Sequence, residues 1–73
     1  MNTWGIIYGW MKTAGITGMQ GLAKESGIPY GTLLKRKQLP QELRARELKA
    51  IKQATGMNTE DFYRMAEAAS EGL

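Results

Sequence analysis

The sequence of 73 residues contains neither cysteine nor histidine. The lack of cysteine excludes disulfides, thiolate nucleophiles and thiolate-bound zinc, and the lack of histidine excludes every triad or proton relay built on imidazole. A metal ion would need carboxylates alone, and the seven Asp and Glu residues form no tight cluster beyond Glu60 and Asp61. We therefore expect no cofactor, no metal site and no catalytic residues, and we predict that the chain is not an enzyme.

Long apolar runs are also missing. The longest mostly apolar stretch, residues 4–11, is far shorter than the roughly 20 residues that a membrane-spanning helix needs. No basic segment precedes it, as one would in a signal peptide. With 42% hydrophobic and 23% charged residues, the composition is that of a folded globular chain. We expect one cytoplasmic domain over residues 1–73 that binds a partner, not a membrane or a small-molecule substrate.

Positive charge is concentrated in the middle third of the sequence. The net charge of +3 divides into +1 for residues 1–23, +4 for residues 24–46 and −2 for residues 47–73. A local excess of positive charge is typical of a surface that binds phosphate groups, but a solvated helix face has the same composition. The charge pattern alone leaves both interpretations open.

The first segment, about residues 3–14, fits two kinds of secondary structure. Trp4, Ile7, Tyr8, Met11 and Ala14 follow helical spacing and would share one face of a helix. The alternation of large side chains over the same segment also suits a strand. We favour a helix because the rest of the sequence is helical in pattern, so that a lone strand would have nothing to pair with.

Glycine, proline and capping residues divide the remaining sequence into four more helices. The second helix is predicted from Gly18 to Ser26, with Thr17 and Gln20 as a capping box and Gly27 as its end. The later helices are predicted from Pro29 to about Lys37, from Gln41 or Arg44 to Thr55, and from Asn58 or Thr59 onward. The sequence therefore predicts an all-α fold, a compact bundle of five short helices.

Residues 22–33, with the sequence LAKESGIPYGTL, have the pattern of a helix-turn-helix. Ala23 is small where the next helix must cross closely, and Gly27 suits a left-handed backbone, in which a Cβ would cost about 1–2 kcal/mol. Ile28 would fill the gap between the two helices, and Leu33 would anchor the outer helix to the core. We expect the helix-turn-helix core to span about residues 17–37.

In these motifs the chain resembles the Cro and phage-repressor family, the XRE-type helix-turn-helix proteins, over roughly residues 5–66. The likeness rests on GIT at 15–17, LA at 22–23, GIP at 27–29, TL at 32–33, ELKAI at 47–51 and TGM at 55–57. It implies a phage-repressor-like helix-turn-helix domain and a regulator of transcription of phage or mobile-element type. Members usually act as dimers on half-sites about 34 Å apart. Arg36 stands where the family prefers an apolar residue.

The resemblance also implies which residues contact double-stranded DNA. The third helix would enter the major groove, the N-terminus of the second helix would bind a phosphate, and further cations would hold the flanking phosphates. The implied DNA-binding residues are Thr17 and Gln20 on the second helix, Tyr30, Gly31, Thr32, Leu34, Lys35 and Lys37 on the third, and Arg44 and Arg46 beyond it.

Two residues of the first helix suggest a second surface. If Trp4, Ile7 and Met11 face inward, Ile6 and Trp10 lie on another side of the helix. An exposed pair of this kind would indicate contact with a second copy of the chain or with another regulator protein. The alternative is that a small core wraps further around this helix.

Two functions stay open at this point. The first is a DNA-binding regulator, and the second is a protein-interaction module, an antirepressor or co-repressor that keeps the helix-turn-helix shape. The Ile6–Trp10 pair favours the second function. So does the composition of the third helix, because few of its side chains can form two hydrogen bonds with one base and only Lys35 suits guanine. Gly21 and Gly31, two helical glycines that each cost about 1 kcal/mol, would permit close approach of either partner.

Overall fold

Thr3–Ala14, the segment that fits both a helix and a strand, is a helix in the computed structural model of the protein, which describes residues 2–73. We call it α1. The other helices in these residues are α2 (Gly18–Ser26), α3 (Tyr30–Gln38), α4 (Ala45–Thr55) and α5 (Thr59–Ser70). A single 3₁₀ turn, Pro40–Glu42, separates α3 from α4. The prediction of an all-α bundle of five short helices is confirmed.

Local capping sets most of the helix ends. Asn2 accepts a hydrogen bond from the backbone of Gly5 at the start of α1, and Asn58 Oδ1 accepts one from the backbone N–H of Asp61, 2.8 Å away, at the start of α5. Gly27 ends α2 with a left-handed φ of 76°, and its N–H donates to the carbonyl of Ala23 over 2.9 Å. These ends agree with the sequence prediction, because caps depend on residues only a few positions apart.

The predicted capping box at the start of α2 is wrong. Thr17 has extended backbone, but its side chain makes no capping hydrogen bond. Gly18 adopts a left-handed φ of 69°. This left-handed residue sets Thr17 apart from the helical backbone, so that Thr17 and Gln20 do not form the reciprocal bonds that the motif requires. The third helix also begins one residue later than predicted, with Pro29 at its N-cap.

Each helix contributes one fully buried apolar side chain to a common core. These residues are Ile7 from α1, Leu22 from α2, Leu33 from α3, Ile51 from α4 and Met65 from α5. Burying a side chain of this size stabilises a protein by about 1.5–3 kcal/mol. The core therefore depends on all five helices, and α2 and α3 are anchored in it by Leu22 and Leu33.

The predicted exposed patch on α1 is wrong. Ile6 is only 5% exposed and belongs to the core, and Trp10 is half-buried. Trp10 Nε1 donates a hydrogen bond to Asp61 Oδ2 on α5 over 2.8 Å. The physical reason is that α5 packs along this side of α1, so the core extends around the helix as the alternative interpretation proposed.

Because Trp10 is tied to α5, we expect Trp10→Phe to lower the free energy of unfolding by about 1–2 kcal/mol, since the variant loses a hydrogen bond to a carboxylate. Urea denaturation measures this change, and light scattering should show an unaltered molar mass. Tyr63→Phe, at a side chain that is 66% exposed, is the control and should change stability by less than about 0.5 kcal/mol. Unchanged stability with an altered mass in Trp10→Phe would contradict this role for Trp10.

Candidate nucleic-acid interface

The two helices predicted on either side of Gly27 and Ile28 are present in the structure as α2 and α3, joined by a turn of three residues. α2 and α3 pack against each other, and Ile28 in the turn between them is only 7% exposed. The turn is stabilised by a hydrogen bond of 3.2 Å from the Ile28 N–H to Ser26 Oγ, and the Leu33 N–H donates to the Pro29 carbonyl over 3.0 Å. The roles assigned to Gly27, Ile28 and Leu33 from the sequence are confirmed.

The outer face of α3 is open to solvent. Since Leu33 is buried and successive residues are about 100° apart around a helix, the opposite side holds Gly31, Lys35 and Gln38, and Leu34 lies at its edge; all four are exposed. Tyr30, at 43% exposure, lies at the start of the same helix. Of the six residues predicted on this helix, Thr32 alone is half-buried, because it lies between the buried and the outer side.

Gln38 is a member of this face that the sequence interpretation missed. Its position near Leu39 and Pro40 suggested only a helix break, but α3 continues through Gln38. The signal was its spacing of seven residues, two helical turns, from Gly31. A glutamine on this face adds an amide that can form two hydrogen bonds with adenine.

Tyr8 is a second residue that the sequence interpretation placed differently. The helical pattern put Tyr8 on the apolar face of α1, whereas its ring is 39% exposed and lies below Lys37 of α3, with the ammonium 5.6 Å from the ring centroid. Trp4, whose ring centroid is 5.7 Å from that of Tyr8, donates a hydrogen bond of 3.1 Å from Nε1 to the carbonyl of Arg36. α1 therefore supports the basic end of α3.

Arg36, which stands where an apolar residue was expected, forms a nearly buried ion pair with Glu47 of α4. Arg36 Nε donates to Glu47 Oε1 over 3.0 Å and Nη2 donates to Oε2 over 3.4 Å, and the two side chains are 16% and 11% exposed. The backbone N–H of Arg44 also donates to Glu47 Oε1, over 2.9 Å. Glu47 thus connects the last turn of α3 to the first turn of α4.

The environment of Glu47 favours its charged form. Burial alone would raise the pKa of this carboxyl group, but the hydrogen bonds from Arg36 and from the backbone of Arg44 lower it, as do the charges of both arginines. Together these effects hold the pKa of Glu47 below its ordinary value. The carboxyl group of Glu47 is therefore ionised at neutral pH.

Four further cations lie on the two helices that the ion pair joins or at their ends. Lys35 and Lys37 flank Arg36 in the sequence, and Arg44 lies at the N-cap of α4. Arg46 borders a shallow groove together with residues 26–29 of the α2–α3 turn. None of Lys35, Lys37, Arg44 and Arg46 forms an ion pair with a carboxylate within residues 2–73, and all four are exposed. Their positive charge is therefore available to a partner.

Thr17 and Gln20 are exposed as predicted but lie apart from this group of cations. Thr17 immediately precedes the nine residues of α2, which are about 13 Å long, and Gln20 lies in the first turn, about 9 Å from the end of the helix. Lys35 and Lys37 thus adjoin Arg36 on different sides of α3, Arg44 lies at the start of α4 and Arg46 lies beside the turn, whereas Thr17 and Gln20 lie at the other end of α2.

Because the folded-state pKa of Glu47 is lowered, the stability that it contributes is present above the ordinary glutamate pKa of about 4.3 and is lost as the pH falls below that value. We expect Glu47→Gln to lower the free energy of unfolding by about 2 kcal/mol at neutral pH, since Arg36 loses its charged partner. The difference from wild type should shrink toward about pH 3. Urea denaturation at several pH values measures both effects.

The control for this experiment is Glu25→Gln, at an exposed glutamate that belongs to none of the ion pairs of residues 2–73. Its effect on the unfolding free energy should stay within about 0.5 kcal/mol. A difference between wild type and Glu47→Gln that is the same at every pH would contradict the role assigned to this carboxylate.

Acidic clusters and long apolar helices do not occur within residues 2–73. No group of three or more acidic side chains there is arranged to hold a metal ion, and no helix there has the length and apolar character to cross a membrane.

Comparison with known protein families, with curated proteins and with solved structures finds no match. The function is therefore inferred from the residues of this chain.

Proposed function

We propose that this protein is a small DNA-binding regulator of transcription of the Cro and phage-repressor type, which inserts α3 into the major groove of duplex DNA. The observation that carries the proposal is the group of four exposed, unpaired cations, Lys35, Lys37, Arg44 and Arg46, around a helix-turn-helix whose outer helix faces solvent. It would act by occupying an operator and altering the access of polymerase, with no cofactor and no catalytic step.

The cations support the proposal through the physics of phosphate binding. Each phosphate that Lys or Arg neutralises releases condensed counterions from DNA, which supplies much of the free energy of binding. The ammonium of Lys37 is held above the ring of Tyr8, whereas Glu47 holds the backbone N–H of Arg44 and leaves its guanidinium exposed. Cations with restricted positions lose less conformational freedom on binding than cations on mobile side chains.

The outer face of α3 supports sequence reading of modest specificity. Lys35 can donate to guanine and Gln38 can form two hydrogen bonds with adenine, while Leu34 and Tyr30 are suited to the methyl group of thymine. Thr17 and Gln20, at the far end of α2, would contact the DNA backbone. Two copies on half-sites about one DNA turn apart would multiply this specificity, in the dimeric arrangement that the resemblance implies.

The proposal predicts that Lys35→Ala together with Lys37→Ala weakens binding to duplex DNA and makes it less dependent on salt. The slope of the logarithm of affinity against the logarithm of salt concentration should fall in magnitude by about 0.9 for each phosphate that the variant no longer neutralises. Fluorescence anisotropy of labelled duplex DNA over a series of salt concentrations measures affinity and slope. Circular dichroism should show the helix content unchanged, because both side chains are exposed.

The matched control is Lys24→Ala together with Lys49→Ala, which removes the same charge from exposed positions on α2 and α4 outside the implied DNA-binding residues. It should retain a salt slope close to that of wild type. If both double variants lose affinity equally, only net charge matters and α3 is not the contact. If wild type does not bind duplex DNA, the proposed function is wrong.

A protein-interaction function is a second candidate, and one observation favours it. Three large apolar side chains, those of Tyr30, Leu34 and Leu39, are 40–48% exposed on α3 and just beyond it. Exposed apolar groups of this kind also suit a protein partner such as another regulator. In that case Leu34→Ala would abolish partner binding, whereas the affinity for duplex DNA would be negligible in wild type and variant alike.

A further inference from the structure

Tyr8 on α1 has a hydroxyl group that takes no part in the fold. Its ring is 39% exposed, and its hydroxyl forms none of the side-chain hydrogen bonds of residues 2–73. The ring alone makes the contacts of Tyr8 with the Trp4 ring, 5.7 Å away between centroids, and with the Lys37 ammonium, 5.6 Å from its own centroid. A phenylalanine ring would make both contacts. The hydroxyl is therefore available to a partner.

The helices that border the Tyr8 ring carry only positive charge. Neither α1 nor α3 contains an acidic residue. Lys37 reaches the ring from α3, and Lys12 follows Tyr8 by one turn on the same side of α1. Both lysines are exposed and belong to none of the ion pairs of residues 2–73. A hydroxyl donor in these surroundings favours an anionic partner.

Tyr8 and Lys37 meet on the flank of α3 that faces α1. Lys37 follows the buried Leu33 by four residues, so it leaves the helix about 40° from the direction of Leu33 and not on the outer side. The same turn of α3 is held by α4 on another flank, through Arg36 and Glu47. A helix with its side chains is about 10–12 Å across and the major groove is about 12 Å wide, so the flanks of an inserted helix lie against the phosphates at the groove edges.

We propose that Tyr8 and Lys37 together bind one backbone phosphate of the DNA, the hydroxyl by a hydrogen bond and the ammonium by its charge. The inference rests on the proposed function, in which α3 enters the major groove, and it adds α1 to the interface. Tyrosine is among the side chains that bind DNA phosphates, and such contacts position a protein on the duplex without reading its sequence. This contact from the α1 side complements those of Arg44 and Arg46 from the α4 side.

The test removes the hydroxyl and keeps the ring. The probe is the short duplex that wild type enriches most from a random-sequence pool, and fluorescence anisotropy measures affinity over a series of salt concentrations. Tyr8→Phe should bind about tenfold more weakly, the effect of losing one hydrogen bond to a charged group. Its salt slope should equal that of wild type, because a neutral hydroxyl releases no counterions. Lys37→Ala should instead lower the magnitude of the slope by about 0.9.

A change in the DNA identifies the phosphate. Each backbone phosphate is replaced in turn by methylphosphonate, which removes the charge and one acceptor oxygen. At one position for each bound copy, the replacement should weaken wild type more than it weakens Tyr8→Phe or Lys37→Ala, because each variant has already lost part of that contact. If the two variants lose sensitivity at different positions, the two side chains do not share a phosphate and the inference is wrong.

Tyr63→Phe on α5 is the matched control. The hydroxyl of Tyr63 also forms none of the side-chain hydrogen bonds of residues 2–73, but Glu60 and Glu67 lie one turn to either side of it and disfavour a phosphate. This variant should keep the affinity of wild type. Both tyrosine variants should keep the urea midpoint of wild type, so that weaker binding by Tyr8→Phe does not reflect a loss of folding.

The outcomes distinguish the two proposals. If wild type binds duplex DNA and Tyr8→Phe binds it equally well, the ring of Tyr8 only supports Lys37, so that the inference is wrong while the DNA-binding function stands. A reduced salt slope in Tyr8→Phe would also contradict the inference, since it would show that Lys37 had been displaced. If wild type binds no duplex DNA, both proposals are wrong.

Discussion

The bidentate pair between Arg36 and Glu47 is the constraint on which the proposed binding surface depends. It joins the last turn of α3 to the first turn of α4, and the same carboxylate accepts a hydrogen bond from the Arg44 backbone. A buried ion pair of this kind adds little net stability compared with apolar packing, but it fixes one arrangement because either partner alone would be a buried, uncompensated charge. Its contribution here is therefore chiefly to position the helices.

The Arg36–Glu47 pair also determines which of the neighbouring cations stay without an acidic partner. Because Glu47 neutralises Arg36, the neighbouring lysines and Arg44 remain without acidic partners within residues 2–73, at the junction of two helices. α1 contributes from the other side, since Trp4 bonds the Arg36 carbonyl and Tyr8 supports Lys37. A small core with one fully buried side chain from each helix is thus enough to hold α3 and α4, which carry these exposed cations.

Much of the fold was predictable because the ends of the helices depend on residues that are close in the sequence. The errors concern contacts between residues that are far apart in the sequence. Asn58 and Gly27 mark helix ends through bonds that span three or four positions. The burial of Ile6 depends on where α5 packs, and the Trp10–Asp61 bond joins residues 51 apart. The side of α1 that faces α5 cannot be read from the periodicity of α1. The Arg36–Glu47 pair was likewise not predictable. A charged residue at an apolar position indicates that another group must neutralise its charge, but not which residue supplies that group.

The central claim is that the surface around α3, held in place by this pair, is the one that binds duplex DNA. The most direct test is to titrate the isotope-labelled protein with duplex DNA and to follow the backbone amide signals by NMR. We expect the shifts to concentrate in α3, in the turn at Gly27 and around Arg44 and Arg46, while the signals of α5 stay in place. Shifts confined to α1 and α5, or none at saturating DNA, would contradict the claim.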